Sequence, residues 1–245
     1  MDSECVDLVV TSPPYDNLRT YNGNIEQWSF KKFQEIAKEL YRIVKVGGVI
    51  VWVVADGTVN SSETGTSFRQ ALYFIECGFN LHDTMIWYKP NCFNFGSNNC
   101  YRQSYEYMFI LSKGTPKTIN LIKDVKSQNF GKIYNSVNRR DGKRTETPNG
   151  FCVSEYKKRD NVWFINVSSD NNGHPAVFPL QLAQDHIISW SNVGDTVLDC
   201  FMGSGTTGVA CKNLDRNFIG IELDTGYFNI AEDRMNRTST RHKLF

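Results

Sequence analysis

The 245-residue chain has no apolar run approaching the roughly 20 residues that cross a bilayer, and its N-terminus does not read as a secretory signal. An integral membrane protein and an exported one are both disfavoured, and a cytoplasmic location is expected. The seven cysteines are odd in number and include no Cys-x-x-Cys pair, which argues against a disulfide scaffold and against structural zinc. Internal repeats and low-complexity tracts are absent as well. Charge of either sign is nearly balanced, at a formal net of +1. What is present suffices for one α/β domain with an inserted or appended segment, since 40% of the residues are apolar.

The apolar positions alternate between strand and helix spacing. Phe33, Ile36, Leu40, Ile43 and Val44 repeat at helical intervals, with Gly47-Gly48 expected to end that helix. Residues 49–54 are apolar on both faces, as in a strand inside a parallel sheet. A second helix is expected over 67–77, closed by Gly78, with strands following at 79–88 and 105–111. Pro179 opens a helix through Leu182, Ala183, Ile187 and Trp190. Trp87, Tyr105 and Tyr107 read as sheet-packing residues.

Two segments carry chemistry. Thr11-Ser12-Pro13-Pro14-Tyr15 follows the apolar run 6–10. The Ser12 hydroxyl and the Pro13 carbonyl, on a loop stiffened by two fixed φ angles, can accept both hydrogens of an aromatic amino group. Such acceptors draw the nitrogen lone pair back from the ring, and Tyr15 offers a stacking platform. The bland alternative is a Pro-Pro loop ending a buried strand. The second segment is a βαβ unit: strand 197–199, the turn Gly203-Ser204-Gly205-Thr206-Thr207-Gly208 into a helix, and a strand ending at Glu222. Its glycines permit close approach to a ligand at a helix N-terminus, and Glu222 can accept from a ribose diol. This spacing also satisfies the dinucleotide fingerprint, so an NAD-dependent oxidoreductase stays open at this point.

With the further segments Ile86-Trp87-Tyr88-Lys89-Pro90-Asn91, Tyr105-Glu106-Tyr107-Met108-Phe109-Ile110 and His174-Pro175-Ala176-Val177-Phe178-Pro179, the chain resembles the DNA amino-methyltransferases of bacterial restriction-modification systems. The order, catalytic loop first and cofactor loop last, is similar to the permuted beta class. The resemblance covers almost the whole chain. It implies an α/β, Rossmann-like S-adenosylmethionine-dependent methyltransferase fold, circularly permuted, its mostly parallel sheet carrying one antiparallel strand near an edge and helices on both faces. It also implies S-adenosyl-L-methionine as cofactor. Catalytic roles fall to Ser12, Pro13, Pro14 and Tyr15. Cofactor roles fall to Asp199, Phe201, Gly203, Ser204, Gly205, Thr206, Thr207 and Glu222, and to His174, Pro175, Phe178 and Pro179. No cysteine follows a proline, so the thiolate route to carbon-5 methylation is not expected. Ser12 at the head of the loop favours cytosine N4 over adenine N6 as the acceptor, with the latter kept as the alternative. Relatives of this order begin with a further edge strand that helps enclose the adenine, whereas Met1 stands only a few residues before the first strand here. A missing N-terminal edge strand and weakened cofactor binding are therefore expected, and an inactive DNA-binding homologue is a further alternative.

The charge balance hides an asymmetry. Residues 113–159 hold twelve Lys or Arg against four acids, a local +8, leaving −7 for the remainder. Such a block suits a phosphate-tracking surface. The expected domains are a catalytic half at 1–112, a basic, loop-rich target-recognition region at 113–165, and a cofactor-binding half at 166–245. Arg139, Arg140 and Arg144 are the expected base readers, with Lys143, Lys157, Lys158 and Arg159 also toward DNA. Double-stranded DNA is the expected partner, with a cognate restriction endonuclease as companion and a monomer or dimer as the assembly. No membrane and no metal are expected.

Overall fold

A computed structural model describes residues 1–14, 28–92, 100–134, 137–140, 143–146, 150–167 and 178–238, with backbone alone at 137–140 and 143–146. The chain divides into two compact units, Met1–Asn120 with Asn161–Phe245, and Leu121–Asp160.

In the first unit the chain runs β1 (Val6–Thr11), α1 (Phe30–Ile43), β2 (Val44–Val54), the short β3 (Thr58–Val59) and β4 (Ser62–Glu63), α2 (Thr66–Glu76), β5 (Asn80–Tyr88) and β6 (Tyr105–Ser112). The second unit holds β7 (Lys123–Lys126), β8 (Ile133–Tyr134), β9 (Val137–Arg140), β10 (Lys143–Glu146), β11 (Phe151–Cys152) and β12 (Tyr156–Lys158). The first unit then resumes with β13 (Val162–Phe164), α3 (Leu180–Trp190), β14 (Thr196–Asp199), α4 (Thr206–Asn213), β15 (Asn217–Gly220) and α5 (Thr225–Arg237).

Seven strands form one sheet in the order β13-β5-β6-β2-β1-β14-β15. Only β6 runs against the rest, pairing antiparallel with both β2 and β5. The strands are apolar on both faces because each face is covered. Val49, Val51 and Val53 pack with α3 and α4 residues, including Leu182, Ile187 and Ala210. The alternate residues Ile50, Trp52 and Val54 pack with α1 and α2 through Phe33, Leu40 and Phe74. This is the two-residue alternation of a strand, expressed between two helical layers. Ser29 caps α1, its hydroxyl accepting from the Lys32 N–H at 3.2 Å. Gly78, at φ 108°, closes α2 with its N–H on the Ile75 carbonyl.

Two sequence expectations change. Gly47-Gly48 does not end α1, which stops at Ile43. Gly47 sits at φ 82° inside β2, where the register with β1 slips between Val6 and Leu8, so the pair forms an irregularity within the strand. Glu222 does not end a strand either. β15 stops at Gly220, and Glu222 lies in the connection to α5.

The second unit, expected to be loop-rich, is instead a nested set of antiparallel pairings. β7 pairs β12, β8 pairs β11 and β9 pairs β10, so one chain goes out and returns along itself. Hydrophobic periodicity did not reveal these strands because none of the unit's described residues is buried.

Candidate functional site

The carboxyl ends of parallel strands gather at one edge of the sheet, and the crevice forms where strand order reverses. Here β1 leads through α1 to β2 on one side, while β14 leads through α4 to β15 on the other. The reversal therefore lies between β1 and β14. They pair in parallel, Leu8 opposite Val197 and Val9 opposite Leu198, which carries Thr11 and Asp199 to the same edge.

Asp199 ties the two segments together. It is 1% exposed. The Thr11 hydroxyl donates to its Oδ1 at 2.6 Å, the Phe201 N–H to the same oxygen at 3.1 Å, and the Thr207 hydroxyl to Oδ2 at 2.7 Å. Burial pushes the carboxyl up to about 6, against the pull of those three donors, and the Glu222 charge adds to the rise. Cys200, beside it, is pushed up to about 12 by burial and by the Asp199 charge, so its thiol is not poised as a nucleophile.

The glycine turn is held from two sides. Glu222 accepts from the Gly203 N–H through Oε2 at 2.8 Å and from the Asp224 N–H through Oε1 at 2.9 Å. Asp224 in turn caps α5 by accepting from the Tyr227 N–H. From α5, Arg234 donates to the Ser204 carbonyl at 2.5 Å and to its hydroxyl at 2.9 Å. Gly205 stands at φ 79°, and a Cβ there would lie 2.8 Å from that of Ala231. Glycine at 205 thus serves both a left-handed turn and the close seating of α5. Gly205 caps α4 without any side-chain hydrogen bond.

Other predicted positions fall as follows. Ser12 is half-buried and Pro13 buried at the end of β1, whereas Tyr15 lies outside the described residues. Phe201 meets the rings of Trp28 and Trp52 edge-on, at 5.3 and 6.1 Å. Thr206 and Ser204 are buried. Phe178 packs on the core, and Pro179 is the first residue ahead of α3, while His174 and Pro175 lie outside the described residues. In the second unit Lys157 and Lys158 are exposed, and Arg159 is engaged by Asp124 at 2.5 Å, holding that carboxyl below its usual range. Arg139, Arg140, Lys143 and Arg144 stand on β9 and β10.

Sequence reasoning missed three residues. Arg234 was read only as part of a helix; the one available signal was Ala231, a small buried residue three positions earlier in a largely polar helix. Lys89 and Glu106 form a largely buried ion pair at the same sheet edge, with the ammonium over the Trp87 ring. Among the described residues, no His, Cys, Asp and Glu cluster is placed to hold a metal ion, and no helix is long and apolar enough to cross a membrane.

Chemically, the edge offers two carboxylates, an uncapped helix start and a hydroxyl-bearing proline loop. That set suits a ligand with an anionic end, a cationic centre and a diol, beside an acceptor pair for an amino group.

The family profile N6_N4_Mtase, described as DNA methylase, matches residues 6–233. The chain is similar to the orphan methyltransferase M.BamHII of Bacillus amyloliquefaciens, with 49% identity over 248 residues covering 97% of this chain and 91% of that protein. It is also similar to M1.HpyAVI, solved as a complex with SAM, at a TM-score of 0.63 and 26% identity over 94% of this chain and 89% of that one. The cytosine-N4-specific PvuII DNA methyltransferase shares the fold at a TM-score of 0.71 and 20% identity, with 98% of this chain and 83% of that one covered.

Proposed function

The chain belongs to the N6_N4_Mtase family of DNA methylases, and on that premise we propose that the amino nitrogen it methylates is N4 of a cytosine turned out of duplex DNA. It is a site-specific DNA methyltransferase that uses S-adenosylmethionine. The observation that carries the reaction scheme is the 2.6 Å bond from Thr11 to Asp199, which joins the acceptor loop to the glycine turn at the sheet's switch point.

The residues present fit the cofactor. Each oxygen of Glu222 has one backbone donor, which leaves acceptor capacity on both for a diol. The first N–H groups of α4 lack a side-chain cap, as a carboxylate would require. Asp199 and Glu222 together make the turn acidic, which suits a sulfonium and an ammonium. When bound, S-adenosylmethionine supplies an electrophilic methyl carbon.

The chain's own contribution is positional. Ser12 and the Pro13 carbonyl accept the two amino hydrogens and turn the nitrogen lone pair out of conjugation. Asp199, spent on protein donors, fixes the end of β14 against the end of β1 and adds negative charge behind the turn. Tyr15 stacks on the base. The proton leaves to water after transfer. Cytosine is favoured because a hydroxyl residue, Ser12, heads the loop. The basic region 113–165, whose residues Leu121–Asp160 form the second unit, is proposed as the target-recognition region. Residues 1–112 and 166–245 form the catalytic and cofactor halves, the location is cytoplasmic, and a cognate restriction endonuclease is a proposed companion.

Ser12→Ala tests the scheme. Turnover is expected to fall by about 100-fold, with S-adenosylmethionine affinity by calorimetry nearly unchanged. Equal losses in both would remove Ser12 from its role.

A further inference from the structure

We propose that the β3–β4 hairpin is a base-displacing finger: Val59 wedges into the duplex beside the target, and the Asn60 and Ser61 side chains meet the base left without its partner. The inference rests on the reading of this chain as a DNA methyltransferase acting on a base turned out of the duplex, and adds to it the element that opens the pair.

The sheet puts the finger beside the acceptor loop. β1 and β2 run parallel, with Val10 opposite Val51 and Thr11 opposite Trp52. Ser12 leaves this edge from β1, and the hairpin leaves it from β2, beginning four residues after Val54. Residues 58–63 are all exposed, Val59 to 58%. Two paired rows and the turn reach about 10 Å at ~3.4 Å a residue, more than the roughly 8.5 Å depth of the major groove. The tip can therefore touch the base stack.

The finger is clamped at its root. Thr58 pairs with Glu63 and Val59 with Ser62. Below them the buried Asp56 accepts from the Thr64 hydroxyl at 3.3 Å, the Ser67 N–H at 2.9 Å and the Ser67 hydroxyl at 2.5 Å, while the Thr64 N–H donates to the Gly57 carbonyl at 2.9 Å. An isolated hairpin is marginal in water, so this tie to the start of α2 is what holds it in place. Asn60 and Ser61 stand at φ 50° and 61°, the two left-handed positions of a type I′ turn. Glycine is the easy occupant of the second position, and serine there is strained. A hydroxyl is kept at the tip against that strain.

Composition says what the finger touches. Residues 57–64 include no Lys or Arg, and their one charge, Glu63, sits on the row nearer the sheet. An element without cations is not built to hold phosphates. An apolar side chain pushed between base steps unstacks them, which does part of the work of turning a base out. A single exposed valine is ordinary on a protein surface, but this one rides on a clamped finger at the reactive edge. The Asn60 amide and the Ser61 hydroxyl each donate and accept, which matches the mixed donor and acceptor edge of a base that has lost its partner.

The test uses a duplex carrying one target site, located by mapping methylated bases in plasmid DNA treated with the protein, in two forms: with the target paired, and with the target opposite an abasic site. The abasic site removes both the pair to be opened and the base to be met. Single-turnover methyl transfer is measured for the wild type, V59S and N60G/S61G; a Gly-Gly turn suits the same backbone, so the second variant folds even if the first does not. Each variant is expected to lose at least about tenfold on the paired form and less than about threefold on the abasic one, with S-adenosylmethionine affinity by calorimetry unchanged. Unaltered rates on the paired form, or equal losses on both forms, overturn the proposal and leave the methyltransferase reading intact. If neither plasmid nor duplex accepts a methyl group, that reading falls and the finger falls with it.

Discussion

Replacing Asp199 with asparagine removes the titration of a buried carboxyl and leaves its shape. The folded carboxyl stands at about 6 against 3.8 for the free side chain, a rise of about 2 units. At ~1.4 kcal/mol per unit, this is worth about 3 kcal/mol. Because the folded value is raised, the neutral acid suits the fold and the carboxylate does not. The stability tied to this group is complete below about pH 4 and is lost as pH rises through 6. Denaturant unfolding of the wild type and of Asp199→Asn at each pH from 4 to 8 isolates the effect, since titrations shared by both proteins cancel in the difference. The wild type should lose about 2.4 kcal/mol of this relative to the variant between pH 4 and pH 7. Thr11→Val deletes a donor that holds the carboxyl down. In that background the loss should be larger and centred at higher pH. A difference that stays flat, or one that Thr11→Val leaves unmoved, would refute the buried tie between β1 and β14.

Glu222→Ala frees the Gly203 and Asp224 N–H groups. S-adenosylmethionine affinity should fall about tenfold or more, and an unchanged dissociation constant by calorimetry would remove Glu222 from the site. Arg234→Ala should cost about 2 kcal/mol of stability and weaken cofactor binding with it, with partial recovery in Arg234→Lys; a stable variant with loosened binding alone would mean that the arginine touches the ligand. Gly205→Ala meets both a left-handed φ and the Ala231 Cβ. Unfolding should show a loss of about 2 kcal/mol or more, and adding Ala231→Gly should return part of it, the steric part. No recovery in the double variant would leave backbone strain as the whole cause.

Much of the first unit was legible because its strands and helices are each apolar in a pattern that burial enforces. Residues 49–54 and the Phe33-to-Ile43 repeat show their periods directly. Gly47 misled because a glycine pair after a helical run reads as a cap, and only the slipped register with β1 reveals a strand irregularity. The motifs at Ser12 and Gly203 could be read for chemistry, yet their meeting depends on strand order, which no local pattern encodes. The Thr11–Asp199 bond, 188 residues apart in sequence, is the product of that order. Arg234 stayed hidden for the same reason, since its partner Ser204 lies thirty residues back. The second unit was invisible to periodicity because none of its described residues is buried, and its charge surplus was its one outward sign.

Duplex DNA incubated with the protein and S-adenosylmethionine, digested to nucleosides and weighed by mass spectrometry, tests the central claim most directly. It should contain 4-methylcytosine, absent from a parallel Ser12→Ala reaction. The appearance of 6-methyladenine would overturn the choice of base, and a digest with no methylated nucleoside at all would contradict methyl transfer to the DNA amino group.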